Sequence, residues 1–150
     1  ENYSGPLVLD ADALAGFQKL KELSPEKKRQ WILTPHIGEA VNYLDMTFNK
    51  DNDSERLSAA VECSEKFECS IVLKGNPTFL IHYGSKQYIT GYDTSPFTRA
   101  GFGDVLSGTI AANIGITRNY PVSVVQALLS GHQKYHQLAE DDVFGPEHLT

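Results

Sequence analysis

The chain has 150 residues, 41% hydrophobic and 21% charged, with a formal net charge of −6. That length and apolar content are enough to bury one substantial core, which excludes a disordered chain and points to a single domain. No Lys/Arg cluster forms the basic stripe that nucleic-acid binding needs, and no apolar run approaches the roughly 20 residues of a membrane helix. Neither partner is therefore expected.

Leu7-Val8-Leu9 predicts a strand leading into Asp10, after which Leu14, Phe17 and Leu20 recur at helical spacing until Pro25 interrupts. Trp31-Ile32-Leu33 repeats the arrangement, followed by the loop Thr34-Pro35-His36 and a helical stretch from about Gly38 to Leu44. From Asp53, the residues Leu57, Ala60, Val61, Ser64 and Phe67 share a helical face, with Asn52 or Asp53 as the N-cap. Ile71-Val72-Leu73 is apolar throughout, the pattern of a parallel strand buried on both faces. Thr78 to Tyr83 and Lys86 to Thr90 flank Gly84-Ser85 as a hairpin, an antiparallel edge beside the parallel strands.

Helical periodicity returns from Asp104 to Ile114. It resumes at Pro121, which suits a first helical position, and runs through Val124, Val125, Leu128, Leu129, His132, Tyr135 and Ala139. Strands alternating with amphipathic helices imply an α/β class, a mostly parallel sheet flanked by helices. No internal repeat or low-complexity linker interrupts it. Cys63 and Cys69, the only cysteines, fall on a helix face and a strand entry and are expected to be buried or half-buried thiols. Few cysteines and no secretory signal fit a reducing cytoplasm. The chain is expected to be an excerpt, because it opens at Glu1 within a polar stretch and closes at Thr150 where a new element begins.

The strongest local signal is Ala100-Gly101-Phe102-Gly103-Asp104-Val105-Leu106-Ser107-Gly108, two glycines immediately before a helix. Glycine lets the backbone approach a ligand closely, and the unpaired amides of a helix start, with its dipole, suit phosphate oxygens. Asp104 there either caps the helix or accepts a proton from an attacking hydroxyl beside the phosphate. His36 follows an apolar strand, where ligands of open α/β sheets bind, yet a surface histidine reads the same way. Glu39 suits the first turn of a helix and is not assigned to catalysis. Lys74 leaves a buried strand for a loop with Gly75, Asn76, Pro77 and Thr78; it is either a cation held at the sheet end for a polyphosphate or a solvated lysine. Asp10 and Asp12, also at a strand end, either bind a hydrated Mg²⁺ or cap the next helix.

Gly101-Phe102-Gly103-Asp104 with Ser107-Gly108 and Ala111-Ala112 resembles the anion-hole signature of ribokinase-like enzymes. Three more segments are similar, in the same order, to the NAD(P)H-hydrate dehydratase family: Val8-Leu9-Asp10-Ala11-Asp12-Ala13-Leu14, Leu33-Thr34-Pro35-His36-Ile37-Gly38-Glu39 and Ile71-Val72-Leu73-Lys74-Gly75. The resemblance implies a ribokinase-like domain incomplete on its N-terminal side, of which residues 1–150 are the C-terminal portion. The missing N-terminal part of the same domain is the expected partner, with a fused epimerase domain and a second copy in a homo-oligomer as further candidates. The pattern is departed from at Ile37, where the family has a second proline, at Phe102, where it has a small Thr or Ser, and at Arg99.

What the resemblance implies chemically is dehydration of hydrated NADH or NADPH at the expense of ADP or ATP with Mg²⁺. His36 and Asp104 would contact the substrate, with Asp104 as the base. Lys74, Gly75, Asn76, Pro77, Thr78, Gly101, Phe102 and Gly103 would surround the nucleotide, and no residue is assigned as a metal ligand. Two rivals remain: a small-molecule kinase of the same fold, disfavoured by the Thr-Pro-His-Ile-Gly-Glu segment, and a nucleotide-binding module without turnover, disfavoured by Asp104.

Overall fold

A computed structural model of the chain describes residues 3, 5–17, 19, 24–95 and 101–140, with the side chains of 138–140 left aside. Leu20, Arg99, Ala100 and Thr150, considered above, lie outside the described residues, as does the side chain of Ala139.

Five short strands form one mixed sheet in the order β1 (Leu7–Leu9), β2 (Trp31–Leu33), β3 (Ser70–Leu73), β4 (Phe79–Ile81) and β5 (Gln87–Ile89). The first three run parallel, Leu9 beside Leu33 and Leu33 beside Ile71; β3, β4 and β5 pair antiparallel through the expected hairpin. Parallel neighbours need crossovers, and helices supply them: α1 (Asp12–Phe17) and α2 (Pro25–Lys28) between β1 and β2, α3 (Ile37–Leu44) and α4 (Asp53–Phe67) between β2 and β3. Two long helices follow the sheet, α5 (Phe102–Thr117) and α6 (Tyr120–Glu140).

Side chains of a strand alternate between faces, so an all-apolar strand must be covered on both. Trp31, Leu33, Ile71, Leu73, Phe79 and Ile81 enter one core with Leu14, Phe17, Leu44 and Phe67. Ile32, Val72 and Leu80, the residues between them, enter a second core with Leu106, Ile110, Ile114, Val124 and Leu128 of α5 and α6. The three central strands are thus sandwiched between helix layers.

Two helical faces differ from expectation. On α4 the buried line is Arg56, Ala59, Ala60, Cys63, Ser64 and Phe67, while Leu57 and Val61 sit half-buried at the margin of the core. On α6 the inward line is Ser123, Val124, Ala127 and Leu128; Val125 and Leu129 are exposed. One residue is 100° of helix rotation, so a face that takes Ser123-Val124 and Ala127-Leu128 inward turns Val125 and Leu129 away. That helix starts at Tyr120, one residue ahead of Pro121. Cys63 and Cys69 are free and buried, and burial pushes the Cys63 thiol up to about 12 and that of Cys69 higher still.

Candidate active site

The carboxyl ends of β1, β2 and β3 open on one edge of the sheet, where open α/β folds bind ligands. Each strand hands over to a short polar segment there: Asp10 after β1, Thr34-Pro35-His36 after β2, Lys74-Gly75 after β3. The segments are stitched side by side. Thr34 N donates to Leu9 O at 3.0 Å, Lys74 N donates to Pro35 O at 2.8 Å, and His36 and Lys74 form an isolated parallel bridge.

Lys74 is 4% exposed, so the solvated-lysine alternative falls. Its ammonium lies 2.7 Å from Asp10 Oδ1 and 3.8 Å from Glu39 Oε2. Ser107, one turn into α5, donates to Asp10 Oδ2 at 2.6 Å and stands 3.3 Å from the Thr34 hydroxyl. Burial pushes the Asp10 carboxyl up, but the bonds from Lys74 and Ser107 and the lysine's charge outweigh it, and the group sits below its ordinary value of 3.8. Both Asp10 oxygens are therefore engaged inside the cluster, Oδ1 by Lys74 and Oδ2 by Ser107. Asp12 is exposed in the first turn of α1.

The start of α5 closes over this cluster. Gly101 is the N-cap at φ 84°, a left-handed conformation that glycine adopts without strain. A Cβ on Gly103 would come 3.2 Å from Lys74 Nζ and 3.8 Å from Asp10 Oδ2, so its bare backbone is what lets the ammonium reach the helix start. The first amides of a helix have no partner inside it, and Gly103, which carries one of them, lies beside the lysine. Asp104 is the third helical residue and exposed; the helix begins two residues earlier than expected, which removes Asp104 from the N-cap position. Phe102 is buried, its ring meeting Tyr135 of α6 edge-on at 6.5 Å.

His36 is the N-cap of α3. Its Nδ1 accepts from Glu39 N at 3.1 Å while Glu39 Oε2 accepts from His36 N at 2.7 Å, a reciprocal capping box. The ring remains half exposed, with Nε2 3.5 Å from Glu39 Oε1. Glu39 thus caps its helix and leans on Lys74 at once. In the next loop Asn76 is exposed and Pro77 half-buried, whereas Thr78 is buried, its hydroxyl donating to Gly75 O at 2.9 Å and lying 3.2 Å from Thr94 Oγ1.

Ser107 as a partner of Asp10, Thr34 as its neighbour, and Arg56 and Thr94 behind the loop are not expected from the sequence. Ser107 was legible in principle: it follows Gly103 by four residues and so shares its helical face. Arg56 carries a signal too, a charge standing on the apolar stripe of Ala60, Cys63 and Phe67.

A family model described as NAD(P)H-hydrate dehydratase matches residues 1–143. The bifunctional NAD(P)H-hydrate repair enzyme Nnr of Coxiella burnetii is 36% identical over 105 residues, 70% of this chain and 20% of the relative. That of Escherichia coli is 33% identical over 115 residues, 77% of this chain and 21% of the relative. The ADP/ATP-dependent NAD(P)H-hydrate dehydratase of Bacillus subtilis, co-crystallised with ATP and Mg²⁺, superposes with a TM-score of 0.78 at 25% identity, over 97% of this chain and 52% of that one. A ribokinase from Thermotoga maritima, at 16% identity and a TM-score of 0.56 over 99% of this chain and 48% of that one, shares the fold. The chain spans about a fifth of the length of these curated relatives and about half of the solved ones. With the four motif segments converging on one sheet edge and the family model running through nearly all of it, the chain belongs to the NAD(P)H-hydrate dehydratase family.

Proposed function

We propose that the protein containing this chain dehydrates hydrated NADH and NADPH, with ADP or ATP as phosphoryl donor. The terminal phosphoryl group passes to the hydroxyl of the hydrated nicotinamide ring, and phosphate then leaves, with loss of a proton from the adjacent ring carbon, as the ring double bond is restored. The observation that carries this function is the place of Lys74, a buried ammonium held against the backbone of Gly103 at the start of α5. A cation and a helix start meeting at one point suit a polyphosphate.

In this mechanism Asp104 takes the hydroxyl proton, the amides of Gly101 to Asp104 stabilise charge on the transferred group, and His36 holds the substrate. Lys74, Gly75, Asn76, Pro77 and Thr78 form the nucleotide side, with Gly101, Phe102 and Gly103 opposite. Thr78 acts from inside the loop and Phe102 through its backbone, since both side chains are buried. Magnesium fits as an ion carried by the phosphates, because Mg²⁺ keeps most of its waters and takes only one or two carboxylates. Among the described residues no group of three carboxylate, histidine or cysteine side chains forms a metal cage. When bound, the ion supplies neutralisation of polyphosphate charge.

Residues 1–150 are in this proposal the C-terminal portion of one ribokinase-like domain. The bifunctional relatives, far longer than the chain, support a fused epimerase domain upstream. Homo-oligomeric assembly and a cytoplasmic site of action belong to the same proposal; among the described residues no helix is long and apolar enough to cross a membrane.

The experiment is to incubate the full-length protein with hydrated NADH and either nucleotide, following the reduced-nicotinamide absorbance. Its return, coupled to phosphate release, is expected. Nucleotide consumption that instead leaves a stable phosphorylated product would make the protein a kinase, and binding without turnover would make it a module.

A further inference from the structure

Arg56 stands in the first turn of α4 and is 2% exposed. A guanidinium so deep requires partners. Nη1 donates to Asp53 Oδ1 at 2.9 Å and to the backbone oxygen of Asn76 at 3.4 Å, and Nη2 donates to the backbone oxygen of Pro77 at 2.8 Å. The guanidinium also lies 4.9 Å from the centre of the Phe79 ring, while its Nε has no hydrogen-bond partner. A Cβ on Gly75 would overlap Nη2, so the loop backbone passes directly over the arginine.

The oxygen of Gly75 is drawn inward as well, by the hydroxyls of Thr78 and Thr94. Three successive carbonyls, those of Gly75, Asn76 and Pro77, thus end on internal donors. A trans peptide unit is planar with its N–H opposed to its C=O, so turning the Gly75 oxygen inward turns the Asn76 N–H outward, on an exposed residue next to the Lys74-Gly75 turn. The negative ends of the peptide dipoles stay in the protein. Two of the three carbonyls owe this to Arg56.

We infer that Arg56 is a positioning residue for the loop of residues 74–78, holding the Asn76 and Pro77 oxygens inside so that an anionic nucleotide meets donors and a cation instead of carbonyl oxygens. It touches neither the nucleotide nor the reacting atoms. The role rests on the nucleotide-binding function proposed above. Lysine at this position keeps the charge but lacks the fork that reaches two carbonyls at once.

The test compares full-length wild type with Arg56→Met, Arg56→Lys and Val124→Ala, the last a control that destabilises from the opposite core. Calorimetry with ATP and ADP in the presence of Mg²⁺ gives Kd; steady-state assays give KM for nucleotide and for hydrated NADH. Arg56→Met is expected to raise nucleotide Kd and KM about tenfold or more, the scale of losing hydrogen bonds from a charged donor. KM for hydrated NADH should stay within about twofold, Arg56→Lys should recover part of the loss, and Val124→Ala should leave nucleotide Kd unchanged at a similar drop in melting temperature. Wild-type nucleotide Kd in a folded Arg56→Met, equal rises in both KM values, or an equal rise in Val124→Ala would each overturn the role. Should Arg56→Met not fold, Arg56→Lys decides alone, and wild-type nucleotide KM in it overturns the role. Absence of nucleotide binding by the wild type overturns the proposed function itself.

Discussion

Asp104 occupies the third position of α5 with its side chain exposed, and Gly101 is the cap. Asp104→Asn in the full-length protein should therefore leave the melting temperature nearly unchanged while lowering turnover by on the order of 10²-fold or more, with nucleotide binding retained. Near wild-type turnover in a folded variant rules the base assignment out. The Asp10–Lys74 pair behaves differently, since both groups are largely buried and each answers the other. Lys74→Ala strands the Asp10 carboxylate and is expected to cost about 3–5 kcal/mol by urea denaturation, together with nucleotide affinity. The depressed pKa of Asp10 fixes the direction of a pH effect. Its contribution is full above the ordinary value of 3.8 and is lost as pH falls through the lower folded value. Asp10→Asn should flatten the acid limb of stability below about pH 4, measured as urea midpoint against pH.

Among the elements, α4 matters most to the loop beside it, because its first turn carries Arg56. That turn is anchored by Asn52, whose side-chain oxygen accepts from Ser54 N at 3.1 Å and Glu55 N at 3.3 Å. Asn52→Ala is expected to lower stability by about 1 kcal/mol in urea melts. The strands were legible because Trp31-Ile32-Leu33 and Ile71-Val72-Leu73 are apolar on both faces, a pattern that only a doubly covered strand satisfies. The burial of Lys74 was not: its partners Asp10 and Glu39 lie 64 and 35 residues back along the chain, and nothing in the local pattern of Leu73-Lys74-Gly75 reports a distant carboxylate. Ala60, Ser64 and Phe67 of α4 turn inward as expected, but Leu57 stands at the margin and Arg56 beside it is buried, because carbonyls of the 75–77 loop accept from its guanidinium. The site could thus be named segment by segment, but its pairing is a property of the folded sheet edge.

For the molecule as a whole, the two thiols report on integrity. Cys63 and Cys69 are buried and pushed far from thiolate, so neither should react with a thiol reagent near pH 8 until the fold opens, and both should react together in denaturant. The polar clamp at the sheet edge has a different consequence, in the order of events. Asp10 joins Ser107 across 97 residues and Lys74 across 64, and Thr34 meets Ser107 across 73. Closing such long loops costs chain entropy before any contact forms, whereas the hairpin and the α5–α6 pair close short ones. The clamp is accordingly expected to form late, after the folding barrier is crossed. Asp10→Asn should then speed unfolding while leaving the refolding rate almost untouched, a shift confined to one limb of a chevron plot. During denaturant titration of the wild type, nucleotide binding should fade at concentrations where the helical circular dichroism signal still stands at its native level.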